Sequence, residues 1–185
     1  MNAPLPAAER SDDQLLRAWS DGEDRAFDEL YRRWAGRVTA FCLRMLGRRE
    51  EAEEVCVDAF ARVVEGRARP SGSFRSWVFT VAHRACVDRL RRRARTARVL
   101  SLFGRTGPAP SDPEEGLLRG ERERALARAI DALSVDHRAV VLLAVVQELP
   151  AREVGQILGL TDQQVRSQLS YARRLLRDQI PEEVR

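Results

Sequence analysis

Between Ser11 and about Arg98, apolar residues recur at the three- and four-residue steps of a helix, and the same periodicity returns over residues 121–180. Between the two blocks the stretch LFGRTGPAPSDPEEG breaks the pattern with the Pro, Gly and Ser content of a linker. Apolar stripes of this kind must be buried against other helices. The expected fold is therefore all-α, with two small helical domains over 11–98 and 121–180 joined by a flexible linker over 99–120. No strand-like alternation, internal repeat or low-complexity tract competes with that reading.

In the first block Phe27, Leu30, Tyr31, Trp34, Val38, Phe41, Cys42 and Met45 share one face, and Gly47 supplies the left-handed residue that closes the helix. A second helix turns Ala52, Val55, Cys56, Ala59, Phe60 and Val63 inward. It gathers Glu50, Glu51, Glu53, Glu54 and Asp58 outside, until Gly66 ends it. GRARPSGS, residues 66–73, reads as a tight exposed loop. Ser73 then caps a helix with Phe74, Trp77, Val78, Val81, Ala82 and Ala85 on its core face. In the second block Ala125, Leu126, Ala129, Ile130 and Leu133 make one helix and Val140, Val141, Ala144 and Val145 another, with Ser134 as the cap between them.

At 185 residues, each of two such domains buries only a modest core. Charged residues reach 32% and aromatics only 6%, which suits exposed helical surfaces rather than a thick sheet core. The net charge is +4, and every one of the 32 basic Lys or Arg residues is Arg. Arginine's planar fork suits phosphate and guanine, although a GC-rich genome raises Arg everywhere. Three cysteines, Cys42, Cys56 and Cys86, all in apolar helical settings, argue against a disulfide framework and for a reducing compartment. No stretch approaches the roughly 18 apolar residues of a membrane span, and Met1–Arg10 lacks the pattern of a signal peptide. A cytoplasmic protein is the expectation.

Two segments carry chemistry. In PAREVGQILGLTDQQVRSQLSYARR, residues 150–174, Pro150 suits a helix's first turn and Val154, Ile157 and Leu158 give it an apolar edge. Gly159 makes the turn, and Thr161-Asp162-Gln163-Gln164 matches a capping box for the next helix, with Asp162 also assigned a capping role. Val165, Leu169 and Ala172 pack that helix onto the first. This leaves Gln163, Gln164, Arg166, Ser167 and Ser170 outside, the side chains that read base edges in a major groove. Arg173 and Arg174, with Arg177 beyond, suit phosphates. The arrangement is that of a helix-turn-helix.

In the other segment, SFRSWVFTVAHRACVDRLRRRAR, a helix begins apolar and ends basic. Arg84, Arg91, Arg95 and Arg98 fall on one face, Asp88 stands close enough to pair with Arg84 or Arg91, and Arg89, Arg92 and Arg93 widen the patch. Seven Arg against one Asp between Arg84 and Arg98 exceeds what complementing a helix dipole requires. Such a strip attracts a nucleic-acid backbone.

At these motifs the chain resembles the extracytoplasmic-function (ECF) sigma factors of bacterial RNA polymerase, from about Asp12 to Gln179 apart from the linker. The family's acidic helix, Asp-Ala-Glu-Asp-Leu-Val-Gln-Glu with a phenylalanine two places on, is similar to Glu51-Ala52-Glu53-Glu54-Val55-Cys56-Val57-Asp58-Ala59-Phe60. Its Phe-Arg-Thr-Trp-Leu resembles Phe74-Arg75-Ser76-Trp77-Val78, and its Ile-Ala-Arg-Asn helix with Asp and a run of Arg resembles Val81-Ala82-His83-Arg84 through Asp88 to Arg93. In the helix-turn-helix, Thr-Val-Lys-Ser-Arg-Leu is matched by Gln164-Val165-Arg166-Ser167-Gln168-Leu169.

The resemblance implies a non-enzymatic transcription initiation factor with no cofactor, no metal, no catalytic residue and no small-molecule substrate. Glu51, Glu53, Glu54, Val57, Asp58 and Arg62 would meet the β′ clamp helices of core RNA polymerase. Arg67, Arg69 and Ser71 of the loop, with Arg84, Asp88, Arg91, Arg92 and Arg95, would handle the minus-10 element. Gln163, Gln164, Arg166, Ser167, Ser170, Arg173 and Arg174 would read the minus-35 element. The β flap, promoter DNA and an anti-sigma factor complete the implied partners. The sequence departs from the family pattern at Val57 (usually Gln), Arg84 (usually Asn), and Gln168 and Tyr171 (commonly Arg).

Other readings stay open on sequence. Phe74 and Trp77 are core residues or stacking platforms for bases. His83 and Cys86, one turn apart, are a satisfied surface His and a small buried Cys, or half a metal site without a second pair. A stand-alone helix-turn-helix regulator would not need the acidic helix, and a sigma-like protein that sequesters an anti-sigma factor would not need DNA contacts.

Overall fold

The computed structural model describes residues 6–65, 73–102 and 121–179, and every regular element among them is helical. The chain enters through a short 3-10 turn, Ala7–Glu9, into α1 (Asp12–Ser20), α2 (Asp24–Leu46), α3 (Arg49–Val64) and α4 (Phe74–Leu102). After the linker come α5 (Glu121–Asp131), α6 (Val135–Val141), α7 (Ala151–Leu158) and α8 (Asp162–Gln179), with a π-helical turn over Leu142–Val146. Helices α1 to α4 pack together, α5 to α7 pack around α8, and α7 lies along α4.

The helix boundaries follow from local chemistry. Ser11 caps α1 through a full capping box with Gln14. Gly47 closes α2 at φ 70°, a conformation that glycine adopts without the Cβ penalty. The Ser73 hydroxyl accepts the Ser76 amide at 3.1 Å, as expected of the α4 cap. Helix α3 ends at Val64, and Gly66, assigned to end it, lies outside the described residues. Helix α4 runs on through residues 99–102, past the point where apolar periodicity fails.

The first-domain core holds the residues assigned to it on α2 and α3, except that Phe27 is only partly buried against it and Tyr31 lies at its margin, 42% exposed. On α4 the buried face is Phe74, Val78, Phe79, Ala82 and Cys86, while Trp77, Val81 and Ala85 flank it. Phe79, not singled out by periodicity, is at the centre: its ring meets Phe41 at 5.5 Å and Trp34 at 6.3 Å, both edge to face. Phe74 is fully buried against Phe60 and Trp77, so both α4 aromatics belong to the packing rather than to a base-stacking surface. The N-terminal segment is tied down by polar contacts. Asp12 accepts from Trp34 Nε1 at 2.9 Å and from Arg33 at 3.0 Å. Hydrogen bonds from Arg32 and Arg33 hold the buried Glu29 carboxyl down at about 2.

In the second domain the π turn changes the expected face of the α6 segment. Val140 to Leu143 are buried, but Val145 is 47% exposed, because the wider turn, closed by Gln147 N–H onto the Leu142 carbonyl at 3.0 Å, rotates the residues toward its C-terminal end out of register with α6. Ser134 caps α6 by accepting the His137 amide.

Candidate nucleic-acid interface

The arginines of α4 divide into two sets according to what α3 presents to them. Arg89 donates to Glu54 at 2.8 Å, approaches Asp58 at 3.6 Å and reaches the Glu51 carbonyl at 3.3 Å. Arg93 pairs with Glu51 at 2.6 Å and donates to the Leu46 carbonyl at the C-terminus of α2 at 2.8 Å. These two were expected to widen the basic patch, yet their forks are turned onto the acidic helix. Arg84, Arg91, Arg92, Arg95 and Arg98 remain exposed. A shallow groove along that strip is lined by Asp88, Arg91, Arg92, Ala94 and Arg95. Asp88 was expected to order Arg84 or Arg91. Among the described residues its carboxylate pairs with neither, and only its backbone carbonyl meets an arginine, Arg92 at 3.3 Å.

The same contacts sort the acidic face. The side chain of Glu51 is only 24% exposed and is taken up by Arg93, whereas Glu54 and Asp58 stay about two-thirds exposed beside Arg89. Glu53 pairs with Arg49 at 3.0 Å within the helix. Val57, Arg62 and Val64 are exposed on α3. Arg67, Arg69 and Ser71 lie outside the described residues.

The helix-turn-helix is α7, a turn at Gly159 with φ 72°, and α8. Pro150 is the cap residue of α7 rather than part of its first turn. Close approach at the turn is set by Gly155: a Cβ there would meet the Leu160 carbonyl oxygen at 2.5 Å. Val154, Ile157, Val165 and Ala172 are buried between the helices, with Leu169 partly so.

Thr161 caps α8 by accepting the Gln164 amide at 3.2 Å, and the Gln164 side-chain oxygen accepts the Thr161 amide at 2.8 Å. Gln164 therefore has its carbonyl oxygen tied to the cap and presents chiefly its NH2 group for a base edge. Asp162, given a capping role by sequence, sits in the first turn while Thr161 makes the cap. Gln163, Arg166, Ser167, Ser170, Arg173 and Arg174 are exposed along α8. Arg174 lies 5.1 Å over the Tyr171 ring, which also touches His137.

The remaining candidates are structural. Cys42, Cys56 and Cys86 are free and buried. Contact with the Cys86 thiol, then burial, push the Cys42 thiol well above its ordinary range, and burial raises Cys56. His83 is not a satisfied surface residue. It is partly buried, its Nδ1 has no hydrogen-bond partner among the described residues, and burial lowers its pKa against the pull of Asp136 on α6. Among the described residues no cluster of His, Cys, Asp or Glu could hold a metal.

Residues 30–96 match the model for Sigma-70 region 2, and residues 123–176 the model for Sigma-70 region 4. The chain is 33% identical over 156 residues to the ECF RNA polymerase sigma factor SigL of Mycobacterium tuberculosis, covering 80% of this chain and 85% of that one. It is 30% identical over 148 residues to the RNA polymerase sigma factor CarQ of Myxococcus xanthus, covering 79% and 84%. Its fold is similar to that of CnrH in complex with the cytosolic domain of CnrY, with a TM-score of 0.66 at 21% identity over 91% of this chain and 96% of that one. The sigma factor RpoE of Bartonella quintana, solved with the anti-sigma factor NepR, gives 0.65 at 18% over 83% and 95%. An α-helical chain carrying both sigma regions in order, with relatives matched over most of their length, belongs to the ECF sigma factors of bacterial RNA polymerase, which are transcription initiation factors and not enzymes.

Proposed function

We propose that this sigma factor binds core RNA polymerase and directs it to promoters by using α4 at the minus-10 element and α8 at the minus-35 element. The observation that carries the assignment is the pair of outward faces on separate helices of one chain: the five exposed arginines of α4 and the Gln/Arg/Ser face of α8. Opening the duplex costs unstacking energy of a few kcal/mol per base, which cations along a displaced strand offset. Reading a closed duplex instead needs side chains that reach base edges, as α8 presents.

The division of labour follows domains over 11–98 and 121–180 with a linker over 99–120, into whose first four residues α4 extends. The exposed Glu53, Glu54, Val57, Asp58 and Arg62 meet the β′ clamp helices, while Glu51 serves chiefly to hold Arg93. Region 4 meets the β flap, and an anti-sigma factor is the regulatory partner. The site of action is the cytoplasm; among the described residues no helix is long and apolar enough to cross a membrane.

The test is run-off transcription with purified core polymerase on a promoter library. Transcripts should start only on templates that share two spaced elements. Tight DNA binding without association with core would instead identify a stand-alone regulator, and anti-sigma binding without transcription a sequestering mimic. Arg84→Ala and Arg91→Ala should each impair open-complex formation more than polymerase binding; equal loss of both would make the strip structural.

A further inference from the structure

The two domains are fastened to each other by charged contacts at helix ends. Glu153 of α7 reaches the first turn of α4, where Arg75 grips its carboxylate with two bonds, at 2.5 and 3.0 Å. The Ser76 hydroxyl donates to the same carboxylate at 3.1 Å and is itself held by Ser73 at 2.9 Å. Ser76 is only 7% exposed, which fixes its hydroxyl, and an anion at the start of a 29-residue helix also meets the positive end of its dipole. At the far end of the interface the charges are reversed. Arg138 of α6 donates to the Arg44 and Met45 carbonyls in the last turn of α2, each at 3.4 Å, and to the carbonyls of Asp131, the last residue of α5, and Leu133 just beyond it. Arg44 approaches Asp131 at 3.8 Å.

This closed arrangement conflicts with the two-element function proposed above, on which the inference rests. A folded chain of this length has a radius of gyration of about 16 Å. Elements about 25 base pairs apart lie roughly 85 Å from each other along a duplex that rises 3.4 Å per pair. The α4 strip and the α8 face therefore cannot occupy both elements while α7 lies on α4.

We propose that Glu153, held by Arg75 and Ser76, is an intramolecular latch that keeps the free sigma factor closed and must be released before both promoter elements are engaged. The latch suits a switch. Both partners are partly exposed, so competing anions reach them, and the fork that holds a carboxylate also holds a phosphate. The linker keeps Glu153 close to its site at millimolar effective concentration, so a modest interface suffices for closure.

The test is small-angle scattering of the free full-length chain, which involves neither polymerase nor DNA and so stands or falls apart from the transcription assay. Wild type should scatter as one compact particle. Glu153→Arg, which sets two cations together, should expand it, and the exchange Arg75→Glu with Glu153→Arg should restore compaction. Glu153→Gln, isosteric and tolerated by the fold, should move the closed-to-open ratio about tenfold toward open, as expected for a charged hydrogen bond. An extended wild type, a Glu153→Gln variant as closed as wild type, or an exchange that fails to restore closure would overturn the latch.

Discussion

The basic strip of α4 and the reading face of α8 are both rows of polar side chains on a helix, but they are built differently. On α4 the neighbour is an acidic helix, and it sorts the arginines: Arg89 and Arg93 are drawn onto α3, and the others are left to solvent. On α8, among the described residues, no carboxylate draws Arg166, Arg173 or Arg174 off the outward face. Its outward face is set by its own cap and by the apolar seam against α7. A charge row facing opposite charge becomes partly structural, whereas on α8 the commitments are local, Gln164 to its own cap and Arg174 to the Tyr171 ring. The two faces should therefore fail in different ways.

The largest effect tests what supports α4. Phe79→Ala empties the space between Phe41 and Trp34 and should cost about 3–5 kcal/mol in chemical denaturation. It should leave binding of a minus-35 duplex by the second domain intact; equal loss there would erase the contrast. Next, Gly155→Ala drives a Cβ against the Leu160 carbonyl and should destabilise by about 1–3 kcal/mol. Duplex binding should fall with it while single-strand binding by α4 persists, read by fluorescence anisotropy.

A sharper comparison lies within α4 itself. Arg89→Ala should lower stability by about 0.5–1 kcal/mol through the lost Glu54 and Asp58 contacts. Arg91→Ala should leave the melting curve within about 0.5 kcal/mol of wild type. It should also reduce the salt slope of single-strand binding by about 0.7. If both variants melt alike, α3 does not sort the strip.

The smallest effect concerns acidity. His83 has a pKa below its ordinary value, so the unfolded chain binds the extra proton first as pH falls. His83's contribution is fully present above about pH 6.5. It declines as pH drops toward the lowered value, its size set first by burial, with Asp136 opposing the shift and Arg84 adding to it. Melting curves at pH 7.5 and 5.5 should show a larger drop for wild type than for His83→Gln.

Much of the fold was legible because the signals were local. Capping by Ser73, Ser134 and Thr161, the left-handed Gly47 and Gly159, and the inward faces of α2 and α3 each depend on a few consecutive residues. Phe79 was missed because it lies off the stripe drawn through Phe74, Val78 and Ala82. It is buried because α4 is flanked by α1, α2 and α3 over that stretch, which widens its covered face. Val145 was misplaced because a π turn changes the angular step, and periodicity assumes a constant one.

The candidate surfaces divide in the same way. Which residues are charged, how they are spaced along α4 and α8, and the cap that starts α8 follow from chain order alone, because helix geometry converts spacing into a shared face. Which arginines are spent on neighbours, that Gln164 is half committed to its cap, and that Glu153 reaches Arg75 across 78 positions of chain depend on helices meeting at particular distances. Ion pairs between distant segments leave no periodic trace, since either partner reads as an ordinary solvated charge until packing brings the other within reach.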